Sequence, residues 1–234
     1  MKIFILLLLL LTRVAFGAIA LDTAASNGSA GASPITWTHT VSGSNTILFV
    51  GLSMRDRTTT ISAVTFNSVA MTFLDSSIQS GQAHQSHLYY LTNPDAGAHT
   101  ISISTSSSIT RTGCSISFTG VNQSAPLGTQ QKNSGDFTTT TVDVSSAAGE
   151  LVMDFIGVGG VTGLALTQGG GQTKQVEQAQ GTTETGSIST EAGAGTVTMS
   201  WSWTGAFFRD QIAVPVKAAG GVPILASQYR RRRQ

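Results

Sequence analysis

The groups of this 234-residue chain that could do acid–base, nucleophilic or metal chemistry are few: four histidines, 12 acidic side chains and one cysteine. His84 and His87 form an H-x-x-H pair, a spacing that can hold a metal. In a strand, however, a spacing of three turns two side chains to opposite faces. Solvated loop positions or hydrogen bonds on a sheet surface are therefore the expected roles. Glu150 and Asp154, four residues apart, come nearest to the two carboxylates on one strand face that glycoside hydrolysis would need. The chain has no G-x-S-x-G nucleophile elbow, no H-E-x-x-H and no phosphate-binding glycine loop. "GVGGVTG" (157–163) is glycine-rich, yet no helical pattern follows it to aim a dipole at an anion. These residues predict a protein that is not an enzyme.

Calcium is the more plausible ion, because loops of β proteins often hold it through hard oxygen ligands in adaptable geometry. Asp56, Asp75, Asp95 and Asp136 lie in predicted loops, but none belongs to a dense D-x-D-x-D cluster, and turn formation or solubility accounts for them as well. No other cofactor is expected. The aromatic candidates for a ligand or subunit contact are Tyr89, Tyr90, Phe207 and Phe208. The last two are adjacent, so one is expected to point outward near a strand end. Trp201 and Trp203 share a face with Val197 and Met199 and read as core. Cys114 stands alone, which excludes an intrachain disulfide, and its place in "CSISF" predicts burial.

The elements that position these residues read as strands almost throughout. "ITWTHTV" (35–41) places Ile35, Trp37, His39 and Val41 on one face and threonines on the other. The same period recurs in "AHTISIS", "GCSISFTG", "TTTVDVS" and "TVTMSWSWTG". "NTILFVGLSM" and "ELVMDFIGV" are apolar on both faces and must be covered on each side. Turn signals separate these runs: "SGSN", "NPDAG", "SAAG", "QGGG" and "EAGAG". No window carries apolar residues at helical spacing for three turns. The predicted fold is all-β with almost no helix, an antiparallel two-sheet sandwich of jelly-roll or Greek-key type with 12 or more strands. The polar stretch after Gly120 (121–140) reads as a sheet-crossing connection within a single domain spanning 18–219.

Residues 1–17 predict an export signal: Lys2, an apolar run from Ile3 to Leu11, then small residues suited to cleavage after Gly17. That run falls short of the roughly 20 residues a membrane-spanning helix requires. Without Lys2, Arg13 and the four terminal arginines, the body keeps seven basic and 12 acidic side chains, a formal charge of −5. So acidic a body lacks the footprint of a nucleic-acid binder.

"WTHTVSGSNTILFVGLS", "ISAVTFNSVAMTFL", "LYYLTNPDAGAHTISIS" and "ISFTGVNQSAPLGT", in this order, resemble a widespread family of exported bacterial β-sandwich modules. The resemblance covers roughly Ala18 to Ala218, and Asn67-Ser68 stands where that family usually has a glycine pair. It implies a secreted or cell-surface module used in adhesion, ligand binding or assembly, with no catalytic residues to carry over.

After the hinge "AGG", the segment 220–234 contains Val222, Ile224, Leu225 and Tyr229 and ends in Arg230, Arg231, Arg232 and Arg233. Two roles fit it: a disordered basic end, or a strand added to the open sheet edge of a neighbouring copy, with arginines meeting the acidic body. The second predicts a homo-oligomer or filament. A glycan is the other partner the sequence suggests.

Overall fold

The computed structural model describes residues 18–29, 31, 33–78, 81, 83–160, 165–181 and 183–220. The export signal (1–17) and the tail residues Val222, Ile224, Leu225, Tyr229 and Arg230 to Arg233 lie outside them. Among the described residues fifteen strands occur, in the order β1 (Ala20–Ser29), β2 (Ile35–Val41), β3 (Ile47–Met54), β4 (Ile61–Phe66), β5 (Val69–Ala70), β6 (Thr72–Ile78), β7 (Gln85–Thr92), β8 (Gly97–Thr105), β9 (Arg111–Thr119), β10 (Gln131–Ser145), β11 (Leu151–Gly159), β12 (Thr167–Gln168), β13 (Thr173–Gln180), β14 (Glu184–Ala192) and β15 (Thr196–Val216). All pairings are antiparallel, and the described residues contain no helix. The all-β expectation holds.

The strands sort into three sheets, not the expected two. A central sheet has the order β1-β9-β3-β7-β6, an outer sheet β2-β8-β4-β5, and a large sheet β10-β15-β11-β14-β13 with β12 paired to β15. The reason lies in β3. Leu48, Val50, Leu52 and Met54 pack with Ile35, Trp37, Phe66, Ile101 and Ile103 of the outer sheet. Ile47 and Phe49, on the opposite face, pack with Met153, Phe155, Ile188 and Ile212 of the large sheet. A strand that is apolar on both faces needs a layer on each side, which makes its sheet a middle layer. β11 holds the corresponding position in the large sheet and is buried along nearly all its length.

One sheet is nearly closed and barrel-like, and the large sheet, with six strands, is the most extensive of the three. The β10/β15 ribbon is its longest element, and its register slips between Phe137 and Thr139. Beyond the slip, Val142, Val144, Val197 and Met199 cluster with Val152 and Ala213. Trp201 and Trp203 cluster with Ile156, Val158 and Leu166, so both tryptophans are core as expected. The stretch 121–140 is only partly a connection, because β10 already begins at Gln131. At Asn67-Ser68 both residues take positive φ, +48° and +65°, the requirement of a two-residue type I′ hairpin. The turn between β4 and β5 therefore forms without the glycine pair.

Candidate functional site: a buried histidine between two carboxylates

In the core between the central and large sheets, packing changes from apolar to polar within a few rungs. On the central sheet, Phe49 is followed on the same face by Gly51 and then Ser53. Ser53 stands in register with Ser86 and Thr112, and Ser86 with Ser77, giving a row of hydroxyls across β6, β7, β3 and β9. In the large sheet Gly157 is in register with Gly186 and Asp210, and on the next rung Gly159 is in register with Glu184. Glycines on β11 make the room: a Cβ at Gly157 would lie 2.1 Å from Ser53 Oγ and 2.3 Å from Ser86 Oγ, and one at Gly159 2.6 Å from His84 Cδ2. Gly157→Ala is expected to cost about 1 to 3 kcal/mol through overpacking. Urea unfolding of the variant checks this, and a loss below about half a kilocalorie would show that the two sheets have slack here.

His84, immediately before β7, occupies the space so created. Its Nδ1 donates to Asp210 Oδ2 at 2.7 Å and its Nε2 to Glu184 Oε1 at 2.9 Å. Ser77 Oγ donates to Asp210 Oδ1 at 2.7 Å, and Ser53 Oγ donates to Glu184 Oε1. His84, Asp210 and Ser53 are 0% exposed and Glu184 is 1% exposed. Burial alone would depress the imidazole, but the Glu184 charge and the hydrogen bonds to Asp210 and Glu184 outweigh it and push His84 up to about 10. The ring is a buried imidazolium clamped between two strands of the large sheet.

Ser53 Oγ also lies 3.1 Å from His84 Nε2, so Ser53, His84 and Asp210 have the spacings of a nucleophile, a base and its orienting acid. Their protonation opposes that chemistry. Both ring nitrogens already carry protons held by carboxylates, so no lone pair remains to take the Ser53 proton, and Ser53 spends that proton on Glu184. Nor do the three ionisable groups suit one metal ion, since the carboxylates bind opposite edges of the ring. No group of three or more His, Cys, Asp or Glu able to hold a metal occurs among the described residues. What the arrangement does is join the central sheet to the large sheet by charge.

The residues predicted from sequence are placed elsewhere. His84 is no solvated loop histidine, as expected above, because glycines and hydroxyls leave it a cavity that charge fills. His87 does not share its site; its Nε2 lies 2.8 Å from Gln85 Oε1. Glu150 and Asp154 do not pair. Glu150 Oε2 accepts from the Ala147 amide, whereas Asp154 is fully buried and accepts from Ser189, from Trp201 Nε1 at 2.6 Å and from Gln211 Nε2 at 2.7 Å. Burial pushes Asp154 up to about 6, against the pull of those hydrogen bonds.

Asp75 and Asp136 lie in strands β6 and β10, not in loops. Asp75 accepts from Lys132 Nζ at 2.8 Å. Asp56 closes its own turn by accepting from Thr58 and Thr59, and Asp95 accepts from Asn67 Nδ2 at 2.8 Å. Phe207 and Phe208 sit well inside the 21-residue strand β15, not at its end, and both are half-buried, Phe208 beneath the Arg55 guanidinium. Tyr89 and Tyr90 face opposite sides of the central sheet, each packed against a different core, and so form no common platform. Cys114 is buried as expected, and its thiol is pushed well above the ordinary range by burial.

Ser53, Glu184 and Asp210 carried no sequence signal of their own. The one available clue was the spacing of Gly157 and Gly159, two empty positions on the same face of an otherwise buried strand. No family model, curated protein or solved structure matches the chain.

Proposed function

We propose that this chain is an exported, non-enzymatic structural or adhesive module of a cell surface or extracellular layer, assembling with copies of itself through sheet edges and the segment 220–234. The observation that carries this reading is the closure of the His84 site: the arrangement with catalytic spacings is sealed, doubly protonated and committed to joining two sheets. Surface features are of another kind. Among the described residues β6 and β10 each pair on one side only, and a groove of about 540 Å³ lies between them, lined by Ser76, Ser77, Ile78, Lys132, Asn133 and Ser134. The resemblance to exported bacterial modules belongs to the same proposal. So does a jelly-roll assignment for the outer and central sheets, supported by the order β1-β9-β3-β7 facing β2-β8-β4-β5, with β6 as an extra edge strand. No helix among the described residues is long and apolar enough to cross a membrane.

Sedimentation of the chain with and without residues 220–234 tests assembly. The complete chain is expected to form larger species as concentration rises and the shortened chain to stay monomeric. Equal monomeric behaviour of both at high concentration would remove the proposal.

A second reading, a lectin-like glycan-binding domain, is favoured by one observation. Phe73 on edge strand β6 is 51% exposed, and its ring stands 5.4 Å from that of Tyr89 and 6.3 Å from that of His87. An exposed aromatic ring such as that of Phe73 offers an apolar face and a polarised edge to a ligand. A glycan array probed with and without calcium separates this reading from the first.

A further inference from the structure

Arg111 is the first residue of β9, in register with the last residue of β1, Ser29, and the last of β3, Met54. It therefore sits at the rim of the interface between the outer and central sheets. Despite that position its side chain is 0% exposed. Nη1 donates to Thr105 Oγ1, and that hydroxyl is in turn 2.9 Å from Ser107 O and 3.3 Å from Ser33 Oγ. Nε and Nη2 have no hydrogen-bond partner among the described residues. None of the ion pairs among the described residues involves Arg111.

The identity of the two unmatched nitrogens is informative. Nε–H and Nη2–H lie on the same edge of the guanidinium plane and point the same way, spaced to meet both oxygens of one carboxylate. A guanidinium buried with that edge unmatched bears the full desolvation penalty without the compensating bonds. Apolar residues would fill the rim at no such cost. A planar anion would satisfy both donors at once and neutralise the charge, and the hydroxyls of Thr105 and Ser33 stand beside it.

We propose that the Nε/Nη2 edge of Arg111 is a binding site for a small carboxylate, entered at the rim where β1, β3 and β9 have their ends. This site is separate from the His84 clamp and does not depend on self-assembly or glycan binding.

Thermal unfolding of the purified chain in sodium acetate, with ionic strength held constant by sodium chloride, tests it. The unfolding midpoint is expected to rise saturably with acetate. In Arg111→Met the acetate response is expected to vanish while the variant stays folded, since removing an unpaired buried charge is neutral or stabilising. Arg111→Lys keeps the charge but loses the paired donors and is expected to bind acetate at least about tenfold more weakly. A wild-type midpoint that does not change with acetate would overturn the proposal. An undiminished acetate response in Arg111→Met would do the same, and should that variant not fold, wild-type acetate affinity in Arg111→Lys would serve in its place. Inorganic phosphate is the parallel arm, and a saturable rise with phosphate in the absence of one with acetate would reject the carboxylate assignment.

Discussion

Replacing His84 with leucine is expected to destabilise the protein by about 3 to 5 kcal/mol, the range for breaking a buried ion pair by removing one partner. The loss arises from what remains: Glu184 and Asp210 would stay buried with no cation between them, and Ser53 and Ser77 supply only neutral donors. For a chain of this size that corresponds to a fall in Tm on the order of 10 °C. Removing all three charges together, with Glu184→Gln and Asp210→Asn added, is expected to cost less than His84→Leu alone, because the uncompensated charge disappears. Differential scanning calorimetry of the single and triple variants checks both statements. A triple variant weaker than the single one would mean that the carboxylates have other support. The same residue sets an alkaline limit. Folded His84 titrates at about 10, against about 6.5 in an unfolded chain, so its contribution is fully present below pH 6.5 and is lost as pH rises toward 10. Wild-type stability should therefore decline across that window, and the decline should be much reduced in His84→Leu.

The acid limb is expected to belong in part to His39. This ring, 1% exposed, lies 2.9 Å from Ser115 Oγ and 3.0 Å from Ser117 Oγ between the outer and central sheets. Burial depresses it to about 4, with the Asp22 charge opposing. The folded state thus holds His39 neutral where the unfolded chain would protonate it. As pH falls from about 6.5 to about 4 the unfolded state takes up the proton first, and stability should fall by about 3 kcal/mol. His87, depressed to about 4 by burial, adds in the same direction. Asp154 works against them: with its folded pKa raised to about 6, it favours the folded state as pH drops from 6 toward its ordinary value. Urea titrations at pH 7 and pH 4.5 on wild type and His39→Gln separate these contributions. A pH dependence unchanged in His39→Gln would assign the acid limb elsewhere.

These buried ionisable groups also show where sequence reading stops. The alternation in "ITWTHTV" and "TVTMSWSWTG" placed His39 and both tryptophans inward, and the observed burial follows it residue by residue. The two doubly apolar runs became β3 and β11, each in the interior of its sheet. The three-layer arrangement is implicit in those runs, whereas one buried face per sheet leads to two sheets. A middle sheet needs two buried faces, and "NTILFVGLSM" has them.

The amino-acid sequence by itself determined that the chain is antiparallel β, which side of each strand is apolar, and that its lone cysteine and tryptophans are core. A period of two residues is a local property, dictated by the pleat of the backbone. Only the tertiary structure decided what each buried face meets. His84 stands 31, 100 and 126 positions from Ser53, Glu184 and Asp210, and nothing local couples them. Their meeting depends on the sheet-to-sheet alignment that brings Gly157 and Gly159 over the serine row, and alignment between layers is settled by packing across the whole interface. Alternation told which way each side chain points, and the stacking of sheets told at what.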